Sequence, residues 1–175
     1  VEHCQVVNKN DVKKFGMYNI IPSVQPTHAT SDMYWADERL GARINTAYAY
    51  KDLLKQNGFI LNGSDFPVEA INPLYGFYAA VARKDQKLFP KEGFQKENAL
   101  TRQEALKAMT IWAAYGAFEE NDKGSLEAGK FADFVVLDKD IMTAPEAELF
   151  GVKVLYTYIG GNLVYTRSEE RRVGK

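Results

Sequence analysis

The chain has 175 residues, of which 46% are hydrophobic and 26% are charged, and its formal net charge is −1. This composition supplies enough apolar side chains for a folded core. The sequence includes no apolar run of the roughly 18 residues that a membrane span needs. It also shows no basic stripe that would favour nucleic acid or an anionic membrane as a partner. The single cysteine, Cys4, excludes an internal disulfide framework and an all-cysteine zinc site.

The first predicted elements are a short helix and a strand. The helix is expected over residues 10–15, with Gly16 closing it. The apolar run NIIPSV at 19–24 predicts a strand. Because Pro22 cannot donate a backbone hydrogen bond, this strand is either short or unpaired on one side.

A second helix and strand follow. Ala47, Tyr50 and Leu54 recur at helical spacing, and Gly58 supplies the stop. The apolar run FILNG at 59–63 then predicts another strand. Since strand, helix and strand follow one another without a hairpin turn, the two strands are expected to pair in parallel.

The next part of the chain is predicted to be a loop followed by a long helix. Residues 72–98 include Pro73, Pro90 and Gly93 and are interpreted as loop-rich. The stretch 99–120 begins with a capping box, in which Thr101 precedes Glu104 by three residues, and it carries apolar residues along one broad face. It predicts one continuous helix.

The end of the chain is β-rich. Residues 131–138 and 152–166 are apolar runs, and the sequence Gly160-Gly161-Asn162 within the second run predicts a hairpin. Residues 167–175, RSEERRVGK, are interpreted as the translation of a sequencing adapter rather than as protein. A solvated charged tail and a basic nucleic-acid patch are the alternatives for this tail.

Candidate catalytic side chains follow the two predicted parallel strands. Asp65 comes directly after FILNG, and His28 lies in QPTHATSDMYW just past the first strand. Taken alone, an aspartate such as Asp65 between Gly-Ser and Phe-Pro is more often part of a plain turn. A lone histidine in a loop is usually a surface residue. Because the carboxyl ends of parallel strands present functional groups at one edge, the two side chains are expected to converge in one pocket.

The other histidine, His3, lies beside the amino terminus. If residues 1–4 are extended, Glu2 and Cys4 point to the face opposite His3 and are not expected to act as ligands. Imidazole and carboxylate groups bind zinc and similar divalent ions. His3 is therefore a candidate ligand that needs partners from elsewhere in the chain.

Six segments occur in a fixed order along the chain: VEHCQVV, SVQPTHATSDMYWADERLG, NGSDFPVEAINPLYGFYAAVAR, LTRQEALKAMT, GSLEAGKFADFVVLD and VLYTYIGG. Together they resemble the amidohydrolase family 3 proteins of the YtcJ type. The resemblance covers residues 1–166, and the ordered set is specific although each segment is weak alone. It implies an α/β fold, with the last strands and helices of a (β/α)8 TIM-type barrel over residues 1–123 and part of a small β-sandwich domain over residues 124–166.

The resemblance also implies a metal-dependent hydrolase that cleaves amide-type C–N bonds in a small-molecule substrate. His3 matches the metal-binding histidine that ends barrel strand six, and Asp65 matches the aspartate that ends strand eight. The implied cofactor is a divalent metal, with zinc favoured, whose activated water Asp65 would deprotonate as a general base. Gln25 and His28 are expected to line the substrate pocket rather than to bind metal.

The sequence contains only part of such a site. A complete barrel needs about 250 residues, and the family's His-x-His pair, its strand-four lysine or acid and its strand-five histidine have no counterpart here. The chain is therefore interpreted as a carboxyl-terminal fragment that is inactive alone. Two alternatives stay open: a non-catalytic regulatory or binding pseudo-enzyme of the same fold, and a different α/β hydrolase or phosphatase that uses an aspartate after a strand.

Overall fold

A computed structural model describes residues 1–167 of the chain. The interpretation of residues 167–175 as a sequencing artefact falls, apart from Arg167, outside these described residues. The helices are α1 (Val12–Met17), α2 (Pro26–Asp32), α3 (Ala36–Leu40), α4 (Tyr50–Asn57), α5 (Pro73–Ala82), α6 (Arg102–Ala108), α7 (Ile111–Gly116) and α8 (Glu146–Leu149), with 3₁₀ turns at Gly41–Thr46 and Lys96–Asn98. The strands are β1 (Ser23–Val24), β2 (Leu61–Asn62), β3 (Phe134–Leu137), β4 (Val154–Ile159) and β5 (Asn162–Thr166).

β1 and β2 form a parallel pair, as the sequence predicts. Ser23 lies opposite Leu61, and Val24 lies opposite Asn62. β1 has only two residues and begins directly after Pro22, which cannot donate to a neighbouring strand. The short alternative for the first strand is therefore confirmed.

Residues 1–4 run along the other side of β1. The N–H of Ser23 donates to the carbonyl of Val1 at 2.9 Å, and the N–H of Cys4 donates to the carbonyl of Ser23 at 3.0 Å. Three chain segments thus lie side by side: residues 1–4, β1 and β2. The residues that follow them are brought to the same edge.

α1 and α4 pack against each other, and only one of them ends as the sequence predicts. Gly58 follows α4 with a φ of 78°, and its N–H donates to the carbonyl of Leu54 at 2.8 Å. That glycine stop is confirmed. α1 instead continues through Gly16 to Met17, so the prediction that Gly16 closes this helix is wrong.

The stretch 72–98 is not a continuous loop, because it contains the ten-residue helix α5. The side chain of Asn72 accepts a hydrogen bond from the N–H of Leu74 at 3.1 Å, and Pro73 takes the first helical position, where its missing N–H has no role. The prediction is wrong since this proline starts a helix rather than marking a loop. Most of α5 is buried: Leu74, Gly76, Phe77, Tyr78, Ala79, Ala80 and Ala82.

The predicted capping box is confirmed at the start of α6. The hydroxyl of Thr101 accepts from the N–H of Glu104 at 3.2 Å, and the Glu104 carboxylate accepts from the N–H of Thr101 at 2.8 Å. The single helix predicted over 99–120 is wrong, because Thr110 has a φ of −128° and a ψ of −101° that interrupt it. Two helices, α6 and α7, result.

The carboxyl-terminal strands form an antiparallel sheet in the order β3-β4-β5. β4 and β5 are joined at Gly160 and Gly161, whose φ values are 55° and 77°, so the predicted hairpin is confirmed. Helices around a parallel strand pair, followed by this sheet, give an α/β chain. None of the helices within residues 1–167 combines the length and the apolar character that crossing a bilayer requires.

Candidate metal centre

The parallel segments bring four predicted site residues to one edge of the fold. His3 lies on the segment 1–4, Gln25 directly follows β1, His28 lies on α2, and Asp65 is three residues past the end of β2. Since carboxyl ends of parallel strands share an edge, their following side chains converge. The predicted convergence of Asp65 and His28 is confirmed.

Three of these side chains form a compact cluster of potential metal ligands. One ligand atom from each of His3, His28 and Asp65 lies within 4.8 Å of the others. Nε2 of His28 is 3.3 Å from Oδ2 of Asp65, and the two imidazole rings are stacked with centroids 6.3 Å apart and planes inclined by 22°. Two imidazoles and a carboxylate therefore face one small volume.

The backbone at Asp65 turns this carboxylate towards the cluster. Asp65 has a φ of 58°, in the left-handed region, and its carbonyl accepts hydrogen bonds from the N–H groups of Val68 at 2.8 Å and Glu69 at 3.3 Å. These bonds hold a tight turn through the main chain. The carboxylate remains directed at His28. Asp65 therefore faces the cluster in addition to forming the turn that the sequence offered as the alternative.

His28 is a buried residue with two different surroundings at its ring nitrogens. It belongs to α2, which starts at Pro26, and is only 6% exposed. Nδ1 contacts the side-chain amide of Gln5. Nε2 is buried and has no hydrogen-bond partner within the described residues, although it faces Asp65. A buried polar atom in that state is typical of a site that binds something further.

Glu2, which the sequence placed on the opposite face from His3, points to the same side. The backbone at His3 has a φ of 55°, so the segment is not regularly extended and the alternation of faces is lost. Oε1 of Glu2 accepts hydrogen bonds from Ser23 Oγ at 2.8 Å and Gln25 Nε2 at 2.5 Å. Oε1 of Gln25 in turn lies 3.0 Å from Nδ1 of His3.

The hydrogen bonds that link Ser23, Glu2, Gln25 and His3 also set the charge of Glu2. Burial opposes ionisation of the carboxyl group, but the hydrogen bonds from Ser23 and Gln25 outweigh it, so the pKa of Glu2 lies below its ordinary value. An ionised carboxylate therefore stands behind Gln25. No periodic pattern in the sequence predicts this contact, because the contact depends on the backbone angle at His3.

Cys4 lies outside the cluster, as the sequence predicts. It is only 3% exposed, and its Sγ donates to the carbonyl of Val1 at 3.1 Å. Burial raises the pKa of the thiol, which disfavours the thiolate that would bind a metal.

The donor set of the cluster fits a divalent metal. Neutral imidazole nitrogens and a carboxylate oxygen are ligands of zinc and of related ions, and catalytic zinc sites commonly use three protein ligands. His3, His28 and Asp65 provide three such groups within the required reach. His3 and Asp65 are the two residues that the sequence predicts as ligands.

A cavity of about 270 Å³ lies beside the cluster. Thr27 and Ser31, which flank His28 on α2, line it, and Ser31 Oγ donates to Glu69 at 2.7 Å. Gln25 and His28 do not line this cavity; they are buried behind it, at 3% and 6% exposure. Their predicted contact with substrate stays a prediction. The remaining lining residues include Thr30, Tyr34, Tyr75, Tyr78, Asp85 and Phe150.

Comparisons with known proteins identify the family. The model of the amidohydrolase family matches residues 1–165. The putative amidohydrolase YtcJ of Bacillus subtilis is 32% identical over 167 residues, which cover 95% of this chain and 32% of YtcJ. The N-substituted formamide deformylase of Arthrobacter pascens is 37% identical over 105 residues, which cover 60% of this chain and 19% of that enzyme.

A solved structure agrees with these relatives. An uncharacterized metal-dependent hydrolase from Pyrococcus horikoshii OT3 superposes with a TM-score of 0.71 and 29% identity, covering 83% of this chain and 30% of its own. The chain spans about a third of the length of the curated relatives it matches. Because the family model and YtcJ both match almost its entire length, the chain belongs to the amidohydrolase family.

Proposed function

We propose that this chain supplies His3 and Asp65 to the divalent-metal site of a hydrolase that cleaves C–N bonds in small molecules. The observation that carries the proposal is the cluster of His3, His28 and Asp65 at the shared edge of three neighbouring segments. Two relatives point the same way: one acts on N-substituted formamides, and one is described as a metal-dependent hydrolase.

In this proposal each side chain has a separate task. His3 and Asp65 hold the ion, for which zinc is the favoured identity. When bound, such an ion lowers the pKa of water in the site towards neutrality. Asp65 also accepts a proton at its carboxylate, as a general base. His28, whose Nε2 lies 3.3 Å from Oδ2 of Asp65, meets the substrate together with Gln25.

The proposed fold of the whole enzyme follows from the family. Residues 1–123 would form the last part of a (β/α)8 barrel, in which residues 1–4, β1 and β2 are successive strands, and residues 124–166 would form part of a β-sandwich. The parallel pairing of β1 with β2 and the contact of residues 1–4 with β1 support this reading. The functional side chains then lie where barrels of this type carry them, at the carboxyl ends of strands.

Metal titration of the 175-residue chain tests the proposal. We expect weak but measurable binding of Zn²⁺ or Co²⁺, and a loss of affinity of about tenfold or more in His3→Ala and Asp65→Asn, because each removes a ligand. Asp52→Asn is the matched control, since Asp52 is exposed and its carboxylate pairs with Lys55.

Equal affinity in both site variants and the wild-type chain would refute the proposed site. Metal binding without hydrolysis of N-acyl or N-formyl amides, even in a full-length family member that carries this segment, would favour the pseudo-enzyme alternative instead.

A further inference from the structure

We infer that Gln25 is a positioning residue, which keeps the ring proton of His3 on Nδ1 and so leaves Nε2 as the nitrogen available to the metal. This inference rests on the proposed metal site and deepens it. It assigns to Gln25 a role that reaches the metal through His3, where the sequence suggested contact with substrate.

The direction of the hydrogen bonds begins at Glu2. An ionised carboxylate can only accept hydrogen bonds, and Oε1 of Glu2 receives one from Ser23 Oγ at 2.8 Å and one from Gln25 Nε2 at 2.5 Å. The amide nitrogen of Gln25 must therefore face Glu2. If the amide were rotated by half a turn, its oxygen would lie against the carboxylate, which is repulsive.

The orientation of this amide decides where the proton of His3 resides. With its nitrogen held by Glu2, Gln25 presents Oε1 to Nδ1 of His3 at 3.0 Å. An amide oxygen is only an acceptor, so Nδ1 carries the hydrogen and donates it. A neutral imidazole has one ring proton, and Nε2 consequently keeps its lone pair.

Gln25 is needed for this task because little else holds the His3 ring. His3 is exposed and lies near the amino terminus on a residue with a φ of 55°, whereas Gln25 is 3% exposed and fixed after β1. Besides Gln25, the ring contact that the structure shows for His3 is the stacking on His28 at 6.3 Å between centroids. A buried amide thus orients an exposed ligand, in the manner of partners that fix metal-binding histidines elsewhere.

Three substitutions test whether the hydrogen bonds from Glu2 through Gln25 to His3 support metal binding. Gln25→Met keeps the length of the side chain and removes the amide, and we expect the affinity of the chain for Zn²⁺ to fall by about 10–100-fold. Glu2→Ala frees the amide to rotate and should weaken binding as well. Glu2→Gln retains an oxygen that can accept from Gln25 Nε2 and should restore most of the affinity.

A glutamine outside the cluster provides the matched control. Gln95 is part-buried and bonded to Ile44 and Arg83, so Gln95→Met makes the same chemical change away from His3. It should leave the Zn²⁺ affinity unchanged. Near-ultraviolet circular dichroism of every variant verifies that the chain remains folded.

The ring proton itself can be observed in the metal-free chain, which separates this inference from the proposed metal site. Long-range ¹H–¹⁵N spectra at neutral pH should show His3 protonated at Nδ1 in the wild-type chain and in Glu2→Gln. The Gln25→Met variant should show the Nε2-protonated form or a mixture.

The outcomes are distinguishable. A wild-type chain that binds no Zn²⁺ but shows the expected shift of the ring proton would contradict the proposed function and support the role of Gln25. An unchanged ring proton in a folded Gln25→Met variant, or unchanged Zn²⁺ affinity in a chain that binds the metal, would overturn the role of Gln25.

Discussion

His28 shows how much a single side chain can decide in this site. When the amide nitrogen of Gln5 donates to Nδ1 of His28, the ring proton of His28 resides on Nε2, which lies 3.3 Å from Oδ2 of Asp65. Turning the Gln5 amide by half a turn would move the proton to Nδ1 and give Nε2 a free lone pair. The first arrangement suits a substrate-binding role, and the second suits a third metal ligand.

The proposed role predicts that His28→Ala keeps most of the metal affinity. We expect its affinity for Zn²⁺ to remain within about threefold of the wild-type chain, while His3→Ala loses about tenfold or more, because only His3 contributes a ligand nitrogen. Calorimetric titration of both variants under the same buffer conditions measures the difference. A loss in folded His28→Ala as large as that in His3→Ala would make His28 a ligand and the predicted assignment wrong.

At the scale of residues, the sequence predicted which residues come together better than it predicted which side chains share a face. That Asp65, Gln25 and His28 come together follows from their places after parallel strands, which hydrophobic runs reveal. The contact between Glu2 and Gln25 could not be predicted in this way, because it depends on the φ of 55° at His3. A single left-handed residue reverses which side chains share a face, and nothing in the spacing of apolar residues reports it.

At the scale of elements, Gly16 has a role in packing rather than in helix termination. A Cβ built on Gly16 would lie 2.6 Å from the backbone carbonyl oxygen of Gln56. Gln56 belongs to α4, so the missing side chain is what lets α1 approach α4 this closely. The sequence alone cannot separate this use of a glycine from a helix stop, since both place glycine beside the last apolar residue of a short helix.

The substitution Gly16→Ala should therefore destabilise the chain. Overpacking against backbone costs about 1–3 kcal/mol, which exceeds the roughly 0.5–1 kcal/mol that alanine gains over glycine within a helix. We expect a net loss of about 1 kcal/mol in the free energy of unfolding, measured by urea denaturation. Gly151→Ala is the control, because within residues 1–167 its Cβ would meet nothing closer than 3.7 Å, and it should change stability by less than about 0.5 kcal/mol. Equal stability of the two variants would contradict the packing role.

Helix α5 and the break at Thr110 show what limits prediction at this scale. The start of α5 does carry a local signal, an asparagine cap followed by a proline at the first helical position. The prediction was wrong because both prolines of 72–98 were interpreted as markers of a loop. The break at Thr110 has no comparable signal. Gly124 packs there, where an added Cβ would lie 2.9 Å from the Cα of Ile111. The division into α6 and α7 therefore coincides with a tertiary contact, which local helix propensity does not reveal.

At the scale of the whole molecule, the surface shows apolar side chains that a self-sufficient domain would cover. Phe118 is 89% exposed, Leu126 71% and Phe131 60%. The parallel pairing of β1 with β2 extends over only two residues of each strand. The relatives that the chain matches are about three times as long. These surfaces are consistent with contacts that a longer family member makes internally.

The final prediction is that residues 1–167 alone hydrolyse no N-acyl or N-formyl amide and tend to self-associate. Two or three candidate ligands fill only part of a metal's coordination shell, and exposed apolar surface favours association over a monomer. Light scattering and amidase assays on the purified chain measure both properties. The assays are then repeated after co-expression with the part of YtcJ that precedes its matched segment, with co-expression of Asp65→Asn as the control. We expect activity only in the complemented wild-type chain, because only there are all the ligands assembled around Asp65. A monomeric, metal-loaded and active chain without its complement would show instead that the cluster of His3, His28 and Asp65 is sufficient by itself.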